Sequence, residues 1–257
     1  MKLSTLKYEK RGHMALLGLT TGISGTGPAL NLAEDLSEVC SHIQSDREIR
    51  AVLLYCHEKN ALSMSGEALE KWASEVRAKG ERLPSMAGAI SGLEQPVVAG
   101  IRGDAIGPGL ELALACDVRI GTSGSSFGLP YINLGLIPWD GGTQRLSRLI
   151  GKGKAMEMVL TGQIIDAQEA YRVGLLNRLA SDDEVKGLAL DMVTEMASKA
   201  PFSLAYAKEA VNKGMDLTLE QGLRLEADLY FLIQTTQDRT EGIRAFQEKR
   251  KPLFEGK

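Results

Sequence analysis

Short apolar runs exchange places with longer amphipathic segments along most of the chain. HMALLGL, LAEDLSEVCSHIQ, RAVLLYC, PVVAGI and GLELALACDVRIG follow in that order. Strand-like runs separated by segments of helical spacing predict an α/β fold made by crossover connections. After about Ser181 the strand signal fades. VKGLALDMVTEMASK, SLAYAKEAVNKGM and LTLEQGLRLEADLYFLIQ predict a helical C-terminal quarter, whose apolar faces must pack on the core or on another subunit. With 257 residues, 44% of them hydrophobic, the chain can bury a substantial core.

Charge and cysteine content exclude several classes of function. A net charge of −3 offers no chain-wide attraction to nucleic acid or an anionic membrane, so a bound phosphate must meet a local basic cluster. Arg145 and Arg148 in TQRLSR read as scaffold rather than as a nucleic-acid patch. Cys40, Cys56 and Cys116 are odd in number and lack CxxC spacing, which argues for buried thiols rather than disulfides or a zinc site. His13, His42 and His57 show no ligand spacing and receive no role, and no metal is expected. The N-terminal segment has no h-region with a cleavage site, and no run approaches the roughly 18 apolar residues of a membrane span. A cytoplasmic protein is expected.

PVVAGIRGDAIGPGLELALACDVRIG concentrates the chemistry. A β-rich run, Pro96 to Ile101, enters a loop holding Gly103, Gly107, Pro108 and Gly109, and a helical pattern starts at Leu110. Helix starts present unpaired N–H groups and a positive dipole end, which suits an anion or a developing oxyanion. Glu111 follows one turn in, among Leu110, Leu112, Ala113, Leu114 and Ala115. It is either a partner of the helix dipole or a desolvated acid/base.

The block from Pro96 to Gly151, with GDAIGPGLELALACDVRI, FGLPYINLGLIP and GGTQRLSRLIGKGKAMEMVLTG, and the closing AFQEKRKPLF resemble the enoyl-CoA hydratase/isomerase (crotonase) family. The likeness runs from about Arg50 to the end and weakens before it, in GISGTGPALNLAEDL. It implies a spiral of ββα turns over 1–195, a helical trimerisation region over 196–257, and CoA thioesters as substrates. It further implies that two backbone N–H groups stabilise an enolate-like thioester oxygen. The first falls at Gly66, ahead of Glu67. The second falls at Pro108, which has no N–H, so either Gly109 supplies a shifted donor, a water fills the gap, or the site stabilises charge weakly. Glu111 matches the first catalytic glutamate, whereas the second position holds Tyr131, which can donate a proton or orient water and, with Asp140, replace that glutamate, although its phenol is a poor base at neutral pH.

Asp140, in IPWDGG, is the candidate substitute for the missing carboxylate, against the alternative of a turn or helix-cap aspartate. Trp139 either packs structurally or, standing where the family commonly has glycine, reshapes the acyl pocket with a flat wall. Phe246 and Lys249 match the C-terminal aromatic and lysine that contact CoA. The resemblance thus implies hydration or dehydration of an unusual, cyclic or dienoyl, CoA thioester, with double-bond isomerisation or non-catalytic acyl-CoA binding as alternatives. No cofactor beyond the substrate's coenzyme A is implied, and the expected assembly is a homotrimer or a dimer of trimers.

Overall fold

The structure is a computed structural model that describes residues 3–23, 26–79 and 85–257. It opens with a hairpin of Leu6–Arg11 (β1) and Met14–Leu19 (β2), then a long helix, Thr26–Ser45 (α1). Ala51–Cys56 (β3), Leu62–Ser63 (β4) and Gly66–Lys79 (α2) follow, and Met86–Ser91 (α3) precedes Val97–Ile101 (β5). Next come Ala105–Ile106 (β6), Pro108–Leu114 (α4), Val118–Thr122 (β7) and Ser126–Gly128 (β8), then a 3-10 turn at Pro130–Leu134. Gly142–Ile150 (α5), Lys152–Thr161 (α6), Ile164–Asp166 (β9), Ala167–Arg172 (α7) and Arg178–Ala180 (β10) complete the sheets.

Two sheets result. The larger has the order β1-β2-β3-β5-β7-β10, and the smaller β4-β6-β8-β9. Among the described residues only β1 with β2 and β8 with β9 run antiparallel; the other pairs are parallel and need crossovers, as the order of apolar runs predicts. Alternate residues of the larger sheet enter two cores, which is why its strands read as continuous apolar runs. Leu17, Leu19, Val52, Leu54, Val97 and Ala99 join the main core beneath α1 and α3. Leu16, Leu53, Tyr55, Val98 and Ile120 face the other way, onto Val185, Ala189 and Val193 of Val185–Ala197 (α8). The three cysteines are buried free thiols, and burial pushes each up to about 12.

The remaining helices are Pro201–Gly214 (α9), Leu219–Gln234 (α10) and Gln237–Gln247 (α11). Thr218 and Gln221 start α10 with a capping box. α9 has no buried residue, and α10 buries only Leu229. What ties α9 down is polar. Lys208 Nζ lies 2.8 Å from the Asp117 carboxylate and donates to the Gln95 carbonyl at 2.9 Å. Between this helix, α5 and the end of α4 lies a cleft of about 1080 Å³. The tail returns to the core, where Arg50 donates to the Phe254 carbonyl at 2.7 Å. No helix among the described residues is long and apolar enough to cross a membrane.

Candidate active site

The site is built on the turn between β6 and α4. Gly107 precedes the helix at φ 64°, a conformation that L side chains rarely adopt, and a Cβ there would stand 2.8 Å from the Met64 carbonyl. Pro108 takes the first helical position, where its missing N–H removes no helical bond. Gly109 is packed so closely on the Leu62 carbonyl of β4 that any Cβ would collide with backbone. These contacts bring the start of α4 against the strand that leads, three residues on, to Gly66. Gly66 opens α2 at φ 54°. The amides of Gly66 and Gly109 both lie in first turns, where no intrahelical acceptor exists for them.

One turn into α4, the Glu111 side chain is completely buried. Its Oε1 accepts from the backbone amides of Asp140 at 2.8 Å and Gly142 at 2.9 Å, and its Oε2 accepts from the Tyr131 hydroxyl at 2.5 Å. Gly142 is glycine for a local reason, since a Cβ there would lie 2.9 Å from Glu111 Oε1. Burial pushes the Glu111 carboxyl above its ordinary range, while the Tyr131 hydroxyl and the two amides oppose that rise. Tyr131, 1% exposed, is pushed well above its own ordinary value by burial and by the neighbouring carboxylate. The pair can hold and move one proton at Oε2.

Asp140 approaches Glu111 through its amide. Its carboxylate turns instead to the start of α3, accepting from the Ser85 hydroxyl and from the Ala87 amide at 2.9 Å. Arg145 donates to the Asp140 carbonyl at 2.8 Å. Trp139 stacks on Trp72 of α2, with centroids 5.9 Å apart and planes inclined by 29°. Trp72 and Ser85 were not singled out by motif. Their only sequence signal is an aromatic at an apolar helical position and a serine just ahead of a helix.

Phe246 and Lys249 lie apart from this cluster, at the C-terminal end of α11. Phe246 is 85% exposed, and Lys249 has the left-handed φ of 54°. His57 is occupied by Tyr55, its Nε2 lying 3.2 Å from the phenol oxygen, and His13 by the Glu48 carbonyl.

Stacked parallel sheets that set two helix starts beside a buried glutamate form the crotonase fold, and solved structures share it along the whole chain. An enoyl-CoA hydratase from Bacillus anthracis superposes with a TM-score of 0.83 at 32% identity, covering 99% of this chain and 100% of that one. One from Polaromonas gives 0.84 at 27% identity, with 97% and 99% covered. The chain belongs to the enoyl-CoA hydratase/isomerase family, whose model matches residues 29–257. The match therefore reaches further toward the N-terminus than the motifs after Arg50. Among relatives, the short-chain-enoyl-CoA hydratase of Clostridium acetobutylicum is 33% identical, with 98% of this chain and 97% of that protein covered. The mouse methylglutaconyl-CoA hydratase is 34% identical, with 100% and 83% covered.

Proposed function

We propose that this enzyme hydrates an enoyl-CoA, or dehydrates the corresponding hydroxyacyl-CoA, with Glu111 as the single acid/base. The observation that carries this reading is the buried Glu111 carboxyl with Oε1 held by two amides and Oε2 held by Tyr131. So fixed, Oε2 can take a proton from water as oxygen adds to the β-carbon, then deliver it to the α-carbon of the enolate. Tyr131 holds that oxygen between the two transfers. The thioester oxygen is stabilised by the Gly66 and Gly109 amides, with Gly109 standing in for the N–H that Pro108 lacks. Phe246 and Lys249 receive the CoA moiety. No cofactor beyond that moiety is invoked. The hydratases among the relatives support this reading.

Double-bond isomerisation is the second reading, favoured by a specific observation: the Asp140 carboxylate is engaged by α3 and leaves Glu111 to act alone. One carboxyl suffices to remove a γ-proton and return it to the α-carbon. The flat indole pair beside Glu111 suits a planar acyl group, so cyclic and dienoyl thioesters belong among the substrates to try. Incubation with enoyl-CoA thioesters in water labelled with oxygen-18 and deuterium separates the readings. Hydration incorporates the heavy oxygen. A shifted double bond without heavy oxygen, with or without deuterium, would replace hydration by isomerisation, and recovery of every thioester unchanged would overturn both.

The assembly belongs to the same proposal. Val211, Leu219, Leu223, Tyr230 and Phe231 project from α9 and α10, and Met215 from the end of α9, with more than half of each exposed. Burying these faces between three copies, or in a dimer of trimers, removes them from water.

A further inference from the structure

The strap of chain between Pro138 and α5 has little backbone preference of its own. Gly141 takes the left-handed φ of 97°, and a second glycine follows at 142. Yet this strap delivers both amides that hold Glu111 Oε1, from Asp140 and Gly142. Gly142 starts α5 and is held by that helix. Asp140 lies outside any helix or strand, so another contact must fix its peptide.

Its own side chain supplies that contact. Asp140 is 6% exposed, and its carboxylate reaches the first turn of α3, accepting from the Ser85 hydroxyl and the Ala87 amide. A second tie runs to the other end of the same helix. Arg145 donates to the Asp140 carbonyl through Nη1 and to the Ser91 hydroxyl at 3.1 Å through Nη2. α3 is a firm anchor, because Met86, Ala87 and Ile90 belong to the main core and Gln44 of α1 donates to the Gly92 carbonyl at 2.8 Å. The side chain and the carbonyl of Asp140 are thus both tied to α3, while its amide meets Glu111.

Resting on the reading of Glu111 as the acid/base, we infer that Asp140 is a positioning residue: its carboxylate, anchored on α3, aims the peptide that holds Glu111 Oε1 and so sets the direction of Oε2. Asp140 acts through Glu111 and takes no proton from the substrate itself.

The effects of the Asp140 amide and the Asp140 charge on Glu111 have opposite signs. The amide favours the ionised carboxyl and the neighbouring negative charge disfavours it; Tyr131 is the other titratable group that bears on it. Asp140→Ala removes charge and anchor together. Asp140→Asn removes the charge alone, since its side chain can accept from Ala87 and donate to Ser85. Assayed on enoyl-CoA thioesters, Asp140→Ala should lower kcat by roughly 10- to 100-fold with little change in KM. The acid limb of its kcat/KM profile should move to higher pH, because Glu111 without that amide holds its proton longer. Asp140→Asn should recover most of the turnover, with the limb unmoved or at lower pH. If Asp140→Ala does not fold, Ser85→Ala weakens the anchor with the charge still in place and should move the limb to higher pH. A limb at lower pH in both Asp140 variants would leave only a charge effect, and an unmoved limb in Asp140→Ala only a structural one. Either result overturns the inference, and the acid/base reading stands as long as Glu111→Gln is impaired. Full turnover by Glu111→Gln would overturn both.

Discussion

The two oxygens of Glu111 are held differently, and the proposed chemistry falls to one of them. The amides of Asp140 and Gly142 fix Oε1, and among the described residues the Tyr131 hydroxyl alone addresses Oε2. Glu111→Gln keeps the shape and removes the titrating group, so turnover should fall by about 10²- to 10⁴-fold while thioester binding persists. Unaffected turnover would remove Glu111 from the chemistry. Tyr131→Phe deletes the hydroxyl that opposes the effect of burial on Glu111. The carboxyl should then hold its proton to a higher pH. A base must be unprotonated to accept, so the acid limb of the kcat/KM profile should move to higher pH, and an unmoved limb would separate Tyr131 from the proton. Glu111 was legible because a carboxylate in an apolar helix start demands an explanation. Its bond to Tyr131 was not, because nineteen residues and two strands intervene. Asp140 shows the limit most clearly. Both a site carboxylate and a helix cap fit IPWDGG, and only the fold reveals that the carboxylate reaches the start of α3, where its partner Ser85 lies 55 residues earlier.

Among the elements, α4 carries the buried Glu111 carboxyl and rests on β4 through a glycine. Gly109→Ala would press a methyl into the Leu62 carbonyl, which is backbone and cannot rotate away. The helix would have to lift from β4 and take Glu111 with it. Urea unfolding should show a loss of about 1–3 kcal/mol, with activity falling alongside. Unchanged stability and activity would mean that α4 tolerates the shift. Pro108→Gly changes less in packing: it restores an N–H at the head of the helix and loosens the turn. If Gly109 already supplies the donor, activity should stay level or drop, and a large rise would mean that the proline leaves the site short of one. The helical pattern was readable from Leu110 onward. The two preceding residues were readable only as a glycine-rich loop, since spacing does not reveal that Gly109 lies against another strand.

On the scale of the whole molecule, the apolar faces of α9 and α10 set the expectation for solution behaviour. Sedimentation velocity at micromolar concentration should give a trimer or a hexamer, and a stable monomer would overturn that part of the proposal. Periodicity identified the C-terminal helices but not their different situations. α8 closes the second core under the larger sheet, whereas α9 meets the sheet region through the Lys208–Asp117 pair. Both read as amphipathic helices, and only contact separates them.

The strand order of the larger sheet also bears on how the protein is made. Its strands line up from edge to edge in the order in which a ribosome synthesises them. Each new strand emerges to find its neighbour already in place, and none must insert between two that have paired. A nascent chain can thus extend its sheet at one growing edge as translation proceeds, with the N-terminal hairpin as the seed.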